Sequence, residues 1–311
     1  MSQQFDFDIH GIVSVGSQSW LPELAEFRTR DPVDKPTICV RVGGISGRRQ
    51  GTVERAGVRR IVYDEGLGPL GFAAQITVGE SIEVDVSPFL RRSPHVLYTN
   101  VVEPILRWVL VARGYALVHG ACLDFDGAAY LITARTDTGK TTTILRILST
   151  TNSASFIADD LTIVDANGRV LTYPKPLTIS QHTVSAVNPK ALSRAESVKL
   201  LLQSRVHSRP SRRVALLLAD TNLPMATINA LIQWLVPPPK YHVQRLIPSV
   251  TVRRESRVAG MFVIERGEDG ERCMPAEEAI QVLFENCDDA YGFPPYQAIE
   301  GFLCQLNGRD L

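Results

Sequence analysis

Residues 128–148 read AAYLITARTDTGKTTTILRIL, an apolar run, a polar loop and a second run with apolar side chains at helical spacing. Ala128 to Thr133 suits a buried strand. Thr141 to Leu148 places Ile144, Leu145, Ile147 and Leu148 on one side of a short helix. Between them lies Ala134-Arg-Thr-Asp-Thr-Gly139-Lys140-Thr141. A phosphate-binding loop curls successive backbone N–H groups around an anion at a helix N-terminus. It extends a Lys to the β- and γ-phosphates and offers a Ser or Thr hydroxyl to magnesium. Gly139, Lys140 and Thr141 meet the last part of that pattern, whereas the first position, ordinarily Gly, is Ala134. The strand-loop-helix setting favours a nucleotide loop over an exposed Lys in an ordinary turn. It assigns Ala134, Arg135, Thr136, Asp137, Thr138, Gly139, Lys140, Thr141 and Thr142 to the nucleotide.

On either side of this loop the pattern stays strand-rich. Ala116 to Leu123 reads as one apolar run joined to the loop's own strand across Asp126-Gly127, a hairpin signal, and Leu161 to Val164 and Val170 to Tyr173 flank Asn167-Gly168 in the same way. Ser155 to Ala158 is a further buried strand, and it ends in Asp159-Asp160. Two carboxylates there could cap a turn; beside a phosphate loop they become candidates for holding magnesium and accepting a proton. His119, near the end of the first run, is either a hydrogen-bonded core residue or a third member of the site.

Composition excludes several classes. With 311 residues, 44% of them apolar, the chain fills a real core, and 33 basic against 33 acidic side chains leave no global positive field to hold nucleic acid. The acidic start lacks the pattern of a signal peptide, and the apolar stretch Ile105 to Val118 is broken by Arg107 and Arg113, so no membrane span is expected. Five scattered cysteines without C-x-x-C spacing suit a reducing cytoplasm.

Residues 1–95 mix short strands (Thr37 to Val42, Arg60 to Tyr63, Ser81 to Val86) with turn residues, and read as a small β-rich part. A helix over Val101 to Ala116 then leads into a larger domain, 96–311. Further on, Ala191 to Gln203 and Met225 to Val236 are helical in pattern, the second stopped by Pro237, Pro238 and Pro239. A strand over Gly260 to Glu265 and a helix from about Pro275 close the domain.

Val118-His119-Gly120, the loop around Lys140, and Ile157-Ala158-Asp159-Asp160, in that order, resemble HPr kinase/phosphorylase and its relatives, which share the nucleotide-binding core of phosphoenolpyruvate carboxykinase. The resemblance covers residues 95 to 180. It implies an α/β fold with that core, and a cytoplasmic kinase passing the γ-phosphate of ATP to a hydroxyl of a small molecule, peptide or protein. On this resemblance Lys140 neutralises the β- and γ-phosphates, Thr141, Asp159 and Asp160 serve Mg2+, Asp160 accepts the hydroxyl proton and His119 stands beside it. The choice of ATP over GTP is likewise the family's. The sequence departs from the family at Ala134 and Asp137, and it lacks a Glu-Ile-Arg-Gly type motif, which argues against the family's usual protein substrate and for a divergent relative.

Three functional readings follow. The first is the Mg2+- and ATP-dependent kinase. The second is a nucleotide-binding regulatory or adaptor protein with a degenerate loop and little turnover. The third is a peripheral assembly protein using Met225 to Val236 against a partner or bilayer. Tyr173-Pro-Lys175-Pro at the site's rim, Lys240 and Arg245 after the three prolines, and the arginines from Arg205 to Arg213 are secondary candidates for acceptor or phosphate contacts.

Overall fold

The computed structural model describes residues 4–43, 45, 51–55, 58–134, 138–179, 183, 200, 224–267, 270–288, 305–306 and 309–310; for 51–55, 58–59, 287–288, 305–306 and 309–310 it describes the backbone alone. The helical pattern over 191–203, apart from Leu200, and the arginine-bearing stretch 205–213 lie outside the described residues. The fold is α/β, with mixed sheets and helices.

The chain divides into two compact units, Met1–Arg113 with Arg205–Pro238 and Ala290–Leu311, and Gly114–Ser204 with Pro239–Asp289. This partition differs from a boundary at residue 95. The helix after that position belongs to the first unit, and Gly114, at φ 82°, separates it from the strands that follow.

The first unit carries strands β1 (Phe5–Ile9), β2 (Val13–Ser17), β3 (Ile38–Val42), β4 (Gly51–Arg55), β5 (Val58–Asp64), β6 (Ala73–Val78) and β7 (Ile82–Val86). They form one sheet in the order β1-β2-β3-β7-β6-β5-β4, parallel at β2/β3 and β3/β7 and antiparallel elsewhere. Alternation fixes the buried face: Val40, Ile76, Val84 and Val86 are buried, while Arg41 is half-exposed and bound to Glu83 and Asp85. A π-helical turn, Tyr98–Val102, leads into α1 (Glu103–Ala112), which buries Ile105, Leu106, Val109 and Leu110 and packs on β2. The helix Met225–Leu235 also belongs to this unit. The hydroxyl and main-chain N–H of Thr227 both donate to Glu65.

The second unit holds β8 (Tyr115–His119), β9 (Ala121–Phe125), β10 (Ala128–Ala134), α2 (Lys140–Thr150), β11 (Ala154–Ala158), β12 (Leu161–Asp165), β13 (Arg169–Leu171), β14 (Leu177–Thr178), β15 (Lys240–Tyr241), β16 (Glu255–Ile264) and α3 (Ala276–Asp288). Its large sheet runs β11-β9-β10-β16-β13-β12-β8. Among the described strand pairs of this sheet only β10/β16 is parallel, and the strand feeding the loop at Lys140 arrives from the hairpin β9/β10. The turn is built as its sequence requires, with Asp126 at φ 54° and Gly127 at φ 95°.

The apparent single run from Ala116 to Leu123 is two strands. Gly120 alone separates β8, at one end of the strand order, from β9, one strand from the other end, and Asp159-Asp160 joins β11 to β12 across the same gap. The register carries through, because His119 pairs with Leu161 and Cys122 with Ala158, which sets Gly120 and Ala121 opposite Asp160 and Asp159. One bent antiparallel ribbon therefore links both ends of the sheet, and the sheet curls round to meet itself. Thr162 Oγ1 donates to the Gly120 carbonyl at 2.8 Å and Thr133 Oγ1 to the His119 carbonyl at 3.0 Å, which satisfies main-chain acceptors at the bend.

Curling explains why these strands are apolar on both faces. Leu123, Ile132 and Phe156 pack with Ile144, Leu145 and Leu148 of α2, while Cys122, Leu131, Ile157 and Val170 form a second cluster. No helix among the described residues is long and apolar enough to cross a membrane.

Candidate active site

The residues singled out around the loop meet at the bend in the ribbon. Gly139 sits at φ 111°, a backbone conformation that side-chain-bearing residues rarely adopt, and its carbonyl accepts the Thr143 N–H at 3.0 Å to start α2. The N–H groups of the first helical turn then have no carbonyl within the helix, and with the helix dipole they favour an anion there. Lys140 opens the helix. Its side chain is only 12% exposed, and its ammonium lies 3.8 Å from Oδ1 of Asp160.

Asp160 receives two further groups. Nε2 of His119 lies 3.2 Å from Oδ1, and the Lys175 ammonium lies 2.7 Å from Oδ2. Burial pushes this carboxyl up, but Lys175, His119 and Lys140 together outweigh it and hold the group well below the usual carboxylate range. Asp159 is driven the other way. Its burial, then the charge of Asp160, raise it to about 6 against the opposing pull of Lys140, Thr141 and Lys175. Two adjacent aspartates are thus pushed apart by their surroundings, the pattern expected of groups with different chemical tasks.

His119 is held from behind. Its Nδ1 is 3.1 Å from the main-chain carbonyl of Asn286 in α3, and because a carbonyl only accepts, Nδ1 donates there and Nε2 is turned to Asp160. The Asn286 amide donates to Thr133 Oγ1 at 2.8 Å, and that hydroxyl donates to the carbonyl of His119. The circuit ties α3, β10 and β8 around one imidazole.

Thr141 Oγ1 donates to Oδ2 of Asp159 at 3.1 Å, and Oδ1 of Asp159 is buried without a hydrogen-bond partner among the described residues. An orphaned carboxylate oxygen beside a hydroxyl is a hard-oxygen donor set, and it fits a magnesium ion that keeps its remaining ligands as water and phosphate. Among the described residues no group of three or more His, Cys, Asp or Glu gathers as a cage that would hold a metal unaided.

His119, Lys140, Thr141, Asp159 and Asp160 therefore come together. Ala134 ends β10 and is buried, Thr138 and Gly139 precede the helix, and the Thr142 hydroxyl is turned to that of Thr183 at 3.3 Å. Arg135, Thr136 and Asp137 lie outside the described residues. Lys175, a rim candidate from the sequence, is inside the site. Its signal was its place between two prolines directly after a hairpin. Asn286 and Thr133 gave no signal, since one acts through its main-chain oxygen from a distant helix and the other is a strand threonine. Lys240 pairs in β15 with Thr178 of β14, and the guanidinium of Arg245 stacks over the Tyr241 ring at 5.3 Å.

Set against known proteins, the chain matches no protein-family model and no curated protein.

Proposed function

We propose that the second unit is the core of an HPr kinase-like, phosphoenolpyruvate carboxykinase-type kinase that transfers the γ-phosphate of ATP to a hydroxyl of a small molecule, peptide or protein in the cytoplasm. The observation that carries this reading is the convergence of Lys140 at a helix N-terminus, the Thr141–Asp159 donor pair and the Asp160–His119 pair on one end of the sheet. Phosphoryl transfer asks for positioning, charge neutralisation and one oriented base, and these residues supply all three.

In this mechanism Lys140 and the first-turn N–H groups of α2 hold the β- and γ-phosphates. Thr141 and Asp159, with Asp160 on the reacting side, would hold Mg2+, which supplies charge neutralisation between the phosphates. Asp160 accepts the proton of the attacking hydroxyl, and His119, anchored through Asn286, keeps that carboxylate aimed.

A second reading, a nucleotide-binding regulator with little turnover, is favoured by one observation: both oxygens of Asp160 are occupied by cationic or potentially cationic groups. The deciding experiment is titration of the purified protein with ATP, with and without magnesium, following binding and slow hydrolysis in the same samples beside Lys140→Ala and Asp160→Asn. Magnesium-dependent binding lost in Lys140→Ala, with hydrolysis lost in Asp160→Asn, supports the kinase. Binding with no hydrolysis in any hydroxyl-acceptor screen supports the regulator, and no binding at all removes both.

A further inference from the structure

Lys175 has no part in the chemistry assigned above, yet among the described residues it is the closest cation to the proposed base. Its backbone is constrained, with Pro174 and Pro176 on either side and its own N–H donating to the Tyr173 carbonyl at 2.7 Å, and Tyr173 is fully buried. Its side chain is 12% exposed. The starting direction of the stem is therefore set, while the four-carbon chain keeps rotational freedom at its end.

Lys175 and Lys140 come from different segments and bracket a single anion, one ammonium on each oxygen of Asp160. A phosphoryl group in transfer is also a multi-oxygen anion, and cations placed around its equatorial oxygens supply much of the catalysis. A carboxylate with a cation held at 2.7 Å on the oxygen that must take the proton is a poor base until that cation withdraws. His119 is anchored by Asn286, and Lys140 belongs with the nucleotide phosphates. Lys175 is the partner left to move.

We propose that Lys175 is a catalytic residue of this site, leaving Asp160 when nucleotide and acceptor bind and placing its ammonium on the transferring phosphoryl group opposite Lys140; the proposal rests on the kinase reading. In the step, the hydroxyl oxygen forms its bond to the γ-phosphorus, the bond from that phosphorus to the ADP oxygen breaks, and the hydroxyl proton passes to Asp160. Lys175 exchanges no proton. It neutralises charge on the group in transit, and its departure frees the oxygen that receives the proton.

The test uses the full chain as wild type, Lys175→Ala, Lys175→Met and Lys175→Arg, and needs no identified acceptor. Each is titrated with MgATP, with MgADP and with MgADP plus aluminium fluoride, a mimic of the phosphoryl group in flight, and its ATP hydrolysis is followed. Lys175→Ala should bind MgATP within about threefold of wild type, lose about 30-fold or more of the extra affinity for the fluoride complex, and hydrolyse ATP about 100-fold more slowly. Lys175→Arg should recover part of both losses. Should Lys175→Ala lower the thermal midpoint, Lys175→Met, which keeps the apolar stem, is read in its place. Equal losses for MgATP and the fluoride complex, or no loss in either, would overturn the role of Lys175 while leaving the kinase reading intact. A wild type that binds neither complex sinks the kinase reading and this proposal together, and one that binds MgATP but gains nothing from aluminium fluoride favours the regulator and also overturns it.

Discussion

Thr141 Oγ1 and Asp159 Oδ2 are hydrogen-bonded at 3.1 Å, with the second oxygen of Asp159 buried and unpartnered among the described residues. A carboxylate left in that state is unfavourable in the metal-free protein. The sign follows from its pKa, which lies near 6 instead of 3.8, so the folded state binds a proton more tightly than the unfolded chain. For this group stability is greatest at low pH and falls as pH rises through the window between those values. Asp160 acts oppositely, contributing stability above the ordinary carboxylate value and losing it as pH falls below it. Asp159→Asn in metal-free protein should therefore be more stable than wild type at pH 8, by about 3 kcal/mol at most, with the advantage shrinking toward pH 4. Thermal or urea unfolding across pH measures this. Adding magnesium with ATP should raise the midpoint of wild type and leave Asp159→Asn nearly unmoved.

Lys140→Ala removes a phosphate contact made both before and during transfer. Affinity for MgATP and turnover should fall together, each by about tenfold or more, with little change in unfolding midpoint. Calorimetric titration with single-turnover kinetics separates the two quantities, and unchanged affinity would mean that the loop does not cradle phosphate.

The elements that were legible in the sequence are those whose periodicity and punctuation agree. Asp126-Gly127 and Asn167-Gly168 mark turns because positive φ is needed there, and Ile144, Leu145 and Leu148 mark the buried stripe of α2 because a helix repeats its face. The break at Gly120 was not legible. The chain changes sheet partners there without a turn or a polar interruption, so an apolar pattern runs straight through it. The helix read over Val101 to Ala116 is regular α-helix only from Glu103 to Ala112, because a π-turn precedes it and Gly114 takes positive φ. The strand read from Gly260 begins at Glu255, since its first residues pair with β13 at Arg169 to Leu171, a partner no local pattern reveals. His119, Asp159 and Asp160 were visible by motif order, whereas the support of His119 by Asn286 comes from tertiary packing across well over a hundred residues of chain.

His119→Ala tests whether the imidazole serves turnover. The ring touches Asp160 and the Asn286 carbonyl, neither of which belongs to the proposed phosphate cradle. MgATP affinity should stay within about threefold of wild type while turnover falls about 100-fold. A loss confined to the unfolding midpoint, with turnover per folded molecule unchanged, would assign His119 to the packing of α3 against β8.

Gly139→Ala isolates the backbone of the loop from its side chains. At φ 111° an added Cβ meets no atom of the described residues within 4 Å, so among them the effect comes from the dihedral itself and not from a clash. Strain of this kind costs about 1–3 kcal/mol. The chain at Gly139 can respond in two ways: it keeps its course and the unfolding midpoint falls, or it relaxes and the N–H groups at the start of α2 turn away from their common focus. The two responses leave different signatures. A stable variant should bind MgATP poorly, and a destabilised one should regain much of its midpoint when MgATP is added, because binding to the folded state selects the strained loop. Midpoints measured with and without MgATP, beside direct titration, decide between them. A variant indistinguishable from wild type in both would show that the positive φ at Gly139 is not required for the site.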